Sequence, residues 1–259
     1  MDYALPVVFA IAAWWTSTVV LIYRAGLDKQ TYPMTLAATT VVALLGVLLL
    51  VMTRNAASPA APYLAFLGAL SLWAWHEVSY LFGFVSGPRP EACPPDATGW
   101  RRFLFGIRAS IYHELAIVAT AVLLAFVTFD ASNRVGLWTF VVLWLMRWSA
   151  KLNIFLGVRN LHEEFWPDHL SYLSSFTRTR NMNELFPWSI AAAAVGLLGL
   201  IIAAATAGED TLQRTAAVLV ATILALAMLE HCLLMLKVRD EMLWLPGLRS
   251  RRSDGAAAG

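Results

Sequence analysis

What this sequence has little of is charge. Asp, Glu, Lys and Arg make up 14% of 259 residues, 59% are hydrophobic, and the formal net charge is +2. A chain so poor in charge cannot cover one apolar core with a solvated surface. That excludes an ordinary soluble domain and points to a polytopic membrane protein. The basic residues are spread over several loops, which argues against a nucleic-acid partner. Cysteine is scarce too. Cys93 falls in a loop and Cys232 in an apolar run, so they read as a free thiol and a small core residue, not a disulfide. A basic leader is missing: the first apolar run follows Met1-Asp2-Tyr3 and is expected to stay as the first span. Five histidines are too few for a histidine-rich membrane oxygenase, and no internal repeat supports an inverted-repeat transporter.

Against these absences stand seven runs of about 20 mostly apolar residues, the length a bilayer-spanning helix needs. They cover roughly Ala4 to Tyr23, Met34 to Met52, Pro62 to Phe82, Phe103 to Phe129, Val135 to Gly157, Trp188 to Ala207 and Leu212 to Leu236. The expected fold is an all-α bundle of seven transmembrane helices over residues 1–245, with a disordered tail at 246–259. Basic residues alternate with these spans. Loops after spans one, three and five, with the tail, hold 13 Lys and Arg, and the opposite side holds only Arg54, Arg134 and Arg214. The positive-inside rule then puts the N-terminus in the periplasm and the C-terminus in the cytoplasm. Two long loops lie on the cytoplasmic side. Gly83 to Arg102 is rich in Gly and Pro. In Arg159 to Phe186, Asp168 can cap a short helix whose Leu170, Leu173 and Phe176 share a face, an amphipathic segment at the membrane surface.

The fifth span is organised differently from the rest. At about 100° per residue, Arg147, Lys151, Ile154 and Val158 fall on one face. Ser149, Asn153, Gly157, Asn160 and Glu164 fall on another, roughly opposite. A helix polar on two faces cannot lie against lipid on either, so it is read as the central helix of the bundle.

Three adjacent pairs accompany it: His76-Glu77, His113-Glu114 and Glu230-His231. With Arg108, Arg147, Lys151 and Asn153 they make an intramembrane polar cluster in the cytoplasmic half. Three Glu balance two Arg and one Lys. Six unpaired charges at the membrane centre would cost on the order of 15–20 kcal/mol, so pairing or an interior position is expected. Four roles are open to the cluster. It can be a structural ion-pair network. It can be a metal site, against which stands the lack of a Glu-x-x-His spacing inside any span. It can relay protons. Or His76, flanked on its stripe by Trp73 and Tyr80, can ligate the magnesium of a chlorophyll-type pigment. Of the 11 Trp, Trp14, Trp15, Trp100, Trp138, Trp166 and Trp188 fit an interfacial belt. Trp73, Trp75, Trp144 and Trp148 lie deeper, where they pack the core or stack on a macrocycle.

Several stretches carry a family resemblance: SLWAWHEVSYLFGFVSGPR, the following CPP and GWRRF, YHELAI, LMRWSAKLNIFLGVRNLHEEFWPDHLSYLSSF, RNMNELFP and LEH. Together they resemble the PuhE family, the photosynthetic complex assembly protein 2 family of anoxygenic phototrophic bacteria. The resemblance implies a bacterial inner-membrane assembly factor, not an enzyme. Its partners would be reaction-centre or antenna subunits or other assembly factors, with transient bacteriochlorophyll delivery as an extension of that role. It implies no catalytic residues. The alternative is a membrane enzyme, such as a metal-dependent oxidoreductase, acting on bacteriochlorophyll or carotenoid.

Overall fold

The structure is a computed structural model that describes residues 3–160 and 167–236. Seven long helices follow one another: α1 (Ala4–Ala25), α2 (Tyr32–Thr53), α3 (Ala61–Leu81), α4 (Gly99–Val127), α5 (Val135–Leu156), α6 (Leu185–Thr206) and α7 (Thr211–Met235). Among the described residues the only β pairing is an isolated bridge between Val158 and Thr179. Prolines occupy the first turns of α2 and α3, where the missing N–H is no loss. Asp210 caps α7 by accepting from Gln213 N.

Six of the seven helices are long and apolar enough to cross a membrane. The protein is therefore a multi-pass helical membrane protein, and the expectation of seven such helices is corrected to six. The exception is α3, whose last turns carry Trp75, His76, Glu77 and Tyr80. Its packing explains the composition. Twelve of its 21 residues are buried, against two of 22 in the peripheral α6. A helix shielded by neighbours need not be apolar all round.

The centre of the bundle is thus α3 more than α5. The core gathers Phe66 of α3, Ile117 of α4, Phe140 of α5, and Leu219 and Ile223 of α7. Helix α5 runs between two groups of neighbours, α3 and α4 on one side, α6 and α7 on the other. A long groove of about 1160 Å³ lies along α5, α6 and α7.

Both long loops fold onto the same end of the bundle. Phe84 N and Val85 N donate to Ser79 O, Arg89 N to Arg108 O, and His113 N to Ser86 O. The first loop therefore lies in the crook between α3 and α4. Gly87 presses on the α4 backbone there, and a Cβ would overlap Arg108 O. In the second loop, Asp168–Phe176 is a 3₁₀ helix whose N-cap is Pro167, not Asp168, and among the described residues its first turn has no side-chain cap. Leu170 and Phe176 are buried and Leu173 is half-buried against the bundle. Glu164, Trp166 and the tail lie outside the described residues.

Candidate functional site

The two polar faces of α5 meet different partners. On the first, Arg147 Nη1 donates to both carboxylate oxygens of Glu77, at 2.5 and 2.6 Å. One turn on, the Lys151 ammonium pairs with Glu114 Oε1. Trp148 Nε1 donates to Glu114 Oε2 at 2.5 Å. The Tyr80 ring lies under both cations, 5.4 Å from the Arg147 guanidinium carbon and 4.9 Å from Lys151 Nζ. Helices α3, α4 and α5 are thereby joined by two ion pairs of zero net charge.

Among the described residues the second face carries no formal charge. His231 Nδ1 lies 2.8 Å from Ala227 O. A carbonyl only accepts, so Nδ1 carries the hydrogen and Nε2 accepts from the Ser149 hydroxyl at 3.0 Å. Asn153 is fully buried and donates to Ser149 O at 2.8 Å and to Ser189 Oγ at 3.1 Å. Below it, Asn183 Nδ2 donates to Gly157 O, just past the helix end, and to Asn153 O, which also accepts from Gly157 N. Asn183 Oδ1 accepts from Leu185 N and Phe186 N, capping α6.

Several members of the expected cluster stand elsewhere. Arg108 is exposed on α4, away from the ion pairs, because six residues before Glu114 it points about 120° away round the helix. Glu230 is also exposed, with no ion pair or hydrogen bond among the described residues. His113 and His231 do not join the ion-pair network. His113 is fully buried, with neither ring nitrogen hydrogen-bonded, and its ring lies 4.6 Å from Tyr80 and 6.1 Å from His76. His231 instead accepts from the Ser149 hydroxyl.

The candidate pigment ligand is enclosed by its neighbours. His76 is 2% exposed and enclosed by Trp75, Phe140 and His113. Its Nε2 lies 2.9 Å from Thr120 Oγ1, whose own hydrogen points to Ala116 O. Nε2 is thus the donor, and the free lone pair on Nδ1 is buried without a partner. The stripe mates pack on the same enclosing rings, Trp73 on Phe140 and Tyr80 on His113. As packed, His76 offers no open face to a macrocycle.

Two residues that hold this end together escaped the sequence reading. Arg102, counted there as a loop charge, is buried. It donates to Phe176 O at 2.6 Å and Phe155 O at 3.4 Å, and its guanidinium lies 4.2 Å from the Phe155 ring. Asn183 is the other. The asparagine two residues before an apolar helix was the available signal for it.

The charged face of α5 borders a cavity of about 440 Å³ between α3, α4 and α5. Tyr80, Glu114, Arg147, Trp148 and Lys151 form its polar end. Phe103, Ile107, Ile111, Leu152 and Phe155 form its walls, and the 3₁₀ helix closes it with Leu170, Leu173 and Phe176. Nearby, burial holds the His169 imidazole below its usual pKa and pushes the Tyr172 phenol up.

These features define a multi-pass helical membrane protein with an ion-paired core beside a buried cavity. The chain belongs to the family described as protein of unknown function (DUF3623), which matches residues 1–254. It is similar to a Rhodobacter capsulatus protein described as an uncharacterized 30.4 kDa protein in the puhA 5′ region. The two are 34% identical over 238 residues, spanning 90% of this chain and 86% of the relative. No solved structure matches the chain at a significant level.

Proposed function

We propose that this protein is an assembly factor for the bacterial photosynthetic reaction centre and its light-harvesting complex, embedded in the inner membrane and assisting bacteriochlorophyll delivery. The observation that carries the reading is the relative in the puhA 5′ region, similar along most of both chains. The stretches resembling the PuhE family point the same way, and a role in photosynthesis fits both. In this reading α3 is a seventh crossing, the N-terminus is periplasmic and the C-terminus cytoplasmic. Helix α3 has the length for a crossing, and its polar turns face other helices, which removes the reason a polar helix avoids the bilayer.

The test is a pull-down of the tagged protein from phototrophically grown cells, with an absorption spectrum and metal analysis of the eluate. Photosynthetic subunits co-purifying without turnover are the expected result. Bound metal with conversion of bacteriochlorophyll or carotenoid would replace the factor by a membrane enzyme. Reporter fusions after Arg54, Arg134 and Ala207 should report the periplasm, and those after Lys29, Gly99 and Arg178 the cytoplasm. One site on the wrong side removes the seventh crossing.

A further inference from the structure

We infer that the cavity between α4, α5 and the 3₁₀ helix is a binding site for an uncharged amphipathic molecule. Its ketone or ester oxygen meets Lys151 and Arg147, and its hydrocarbon body lies along Ile107, Ile111, Leu152 and Phe155. The volume, about 440 Å³, falls within the range of small-molecule sites. It would hold on the order of fifteen waters, yet most of its wall is apolar and gives waters few partners.

The polar end selects the chemistry. Lys has three donors and no acceptor, and Arg has five donors and no acceptor. Among the described residues the Lys151 ammonium has one hydrogen-bond partner, Glu114. Arg147 directs Nη1 to Glu77, while its Nε is buried with no partner. The two carboxylates already accept from Arg147, Trp148 and Lys151. A carboxylate can accept about four hydrogen bonds, so Glu114 keeps some acceptor capacity beyond Trp148 and Lys151, but the unspent donors of Lys151 and Arg147 outnumber it, and their complement is an oxygen acceptor. The side chains of Lys151 and Arg147 keep 31% and 19% of their surface accessible, so a ligand can reach them without breaking either pair.

Charge narrows the class further. Glu77 with Arg147 and Glu114 with Lys151 sum to zero, so a carboxylate or phosphate ligand would bring an uncompensated charge into a poorly solvated site. A ketone or ester would not. Trp148 is exposed and Ile107, Ile111 and Leu152 are half-buried. The cavity therefore opens between α4 and α5, toward the bilayer from which such a molecule partitions. Its roof is fixed in place: Arg102 binds Phe176 O in the roof and Phe155 O in the wall. The inference goes beyond the assembly role and can hold or fail independently of it.

The test uses the purified full chain in detergent and photoreactive diazirine probes on one hydrocarbon chain, as methyl ester, free acid and plain alkane. Cross-linked peptides are mapped by mass spectrometry. The ester should label peptides carrying Ile107–Ile111 and Leu152–Phe155 about tenfold more than the alkane, and more than the acid. Lys151→Met should lower labelling severalfold, and Lys151→Arg, which keeps donors, should retain it. Because Lys151→Met can destabilise the fold through Glu114, Gly106→Leu is the second variant. A Cβ at Gly106 meets only Phe176 and Phe155, at 3.6 Å and beyond, so leucine there fills the cavity and should abolish labelling with the elution profile unchanged. Unlabelled isoprenyl acetate and diacylglycerol, added as competitors, separate an isoprenoid ester from a neutral glycerolipid as the source, and competition by phosphatidylglycerol alone would overturn the uncharged class. Equal labelling by ester and alkane, preference for the acid, or full labelling of well-folded Gly106→Leu would each overturn the site.

Discussion

Helix α5 serves two neighbourhoods with one 22-residue segment, and the two are built on different principles. Toward α3 and α4 it presents Arg147 and Lys151, each matched by one carboxylate, beside a cavity. Toward α6 and α7 it presents Ser149 and Asn153, matched by His231, Ser189 and Asn183, with Asn153 and His231 buried. The charged face concentrates large, opposing energies in two pairs and leaves donors unspent. The amide and hydroxyl face spreads small energies over many bonds. Losing a charge should therefore be severe and specifically repairable, and losing an amide moderate.

The sharpest test of that difference is Arg147→Leu. It strands Glu77 in the core, a loss of about 3–5 kcal/mol, and should lower the protein's level in the membrane several-fold. Adding Glu77→Gln should restore much of that level, and adding Glu114→Gln should not. Equal repair by both would show that the pairs are not specific, and no repair by either would remove the paired network. Next comes Asn183→Ala, which removes the α6 cap and the donors to two buried carbonyls, for about 2–3 kcal/mol. It should lower the thermal aggregation midpoint in detergent, with no second-site carboxylate change able to rescue it.

His231→Leu should cost about 1 kcal/mol by leaving the Ser149 hydroxyl unmatched, and His231→Gln less. A loss as large as that of Arg147→Leu would mean the second face also holds charge. Smallest is Glu230→Gln, within about 0.5 kcal/mol of no change, because the exposed Glu230 belongs to neither face. A large loss of abundance there would reveal a partner outside the described residues.

Much of the fold was legible in the sequence because the spans are long and their ends are marked by prolines and basic loops. The two-faced character of α5 was legible because helical spacing alone fixes which residues share a side. At α3 the apolar run was read as a span, yet its polar last turns pull it below spanning hydropathy, and spacing alone did not register that His76 and Glu77 are buried against protein. Pairing adjacent His and Glu residues also misled. Neighbours in sequence point about 100° apart, so Glu77 reaches α5 while His76 turns to Thr120 on α4. Arg102 was misread because a cation near a span end looks solvated, and only the returning loop, with its free carbonyls, draws it inside.

The contact of α2 with α3 has a consequence for how the chain enters its membrane. Gly46 and Gly68 face each other so closely that a Cβ on either would stand 2.8–2.9 Å from the other's carbonyl oxygen. Small residues allow such backbone contact between membrane helices. Helix α3 is the one long helix that falls short of membrane-spanning hydropathy, so the insertion machinery would accept it poorly by itself. In the proposed topology with α3 as a seventh crossing, the short connection 54–60 and the seat at these glycines would let it enter as the second half of a hairpin, carried by its apolar partner. A side chain at position 46 or 68 would then act during biosynthesis, stalling α3 at the membrane before any ion pair on α5 has formed.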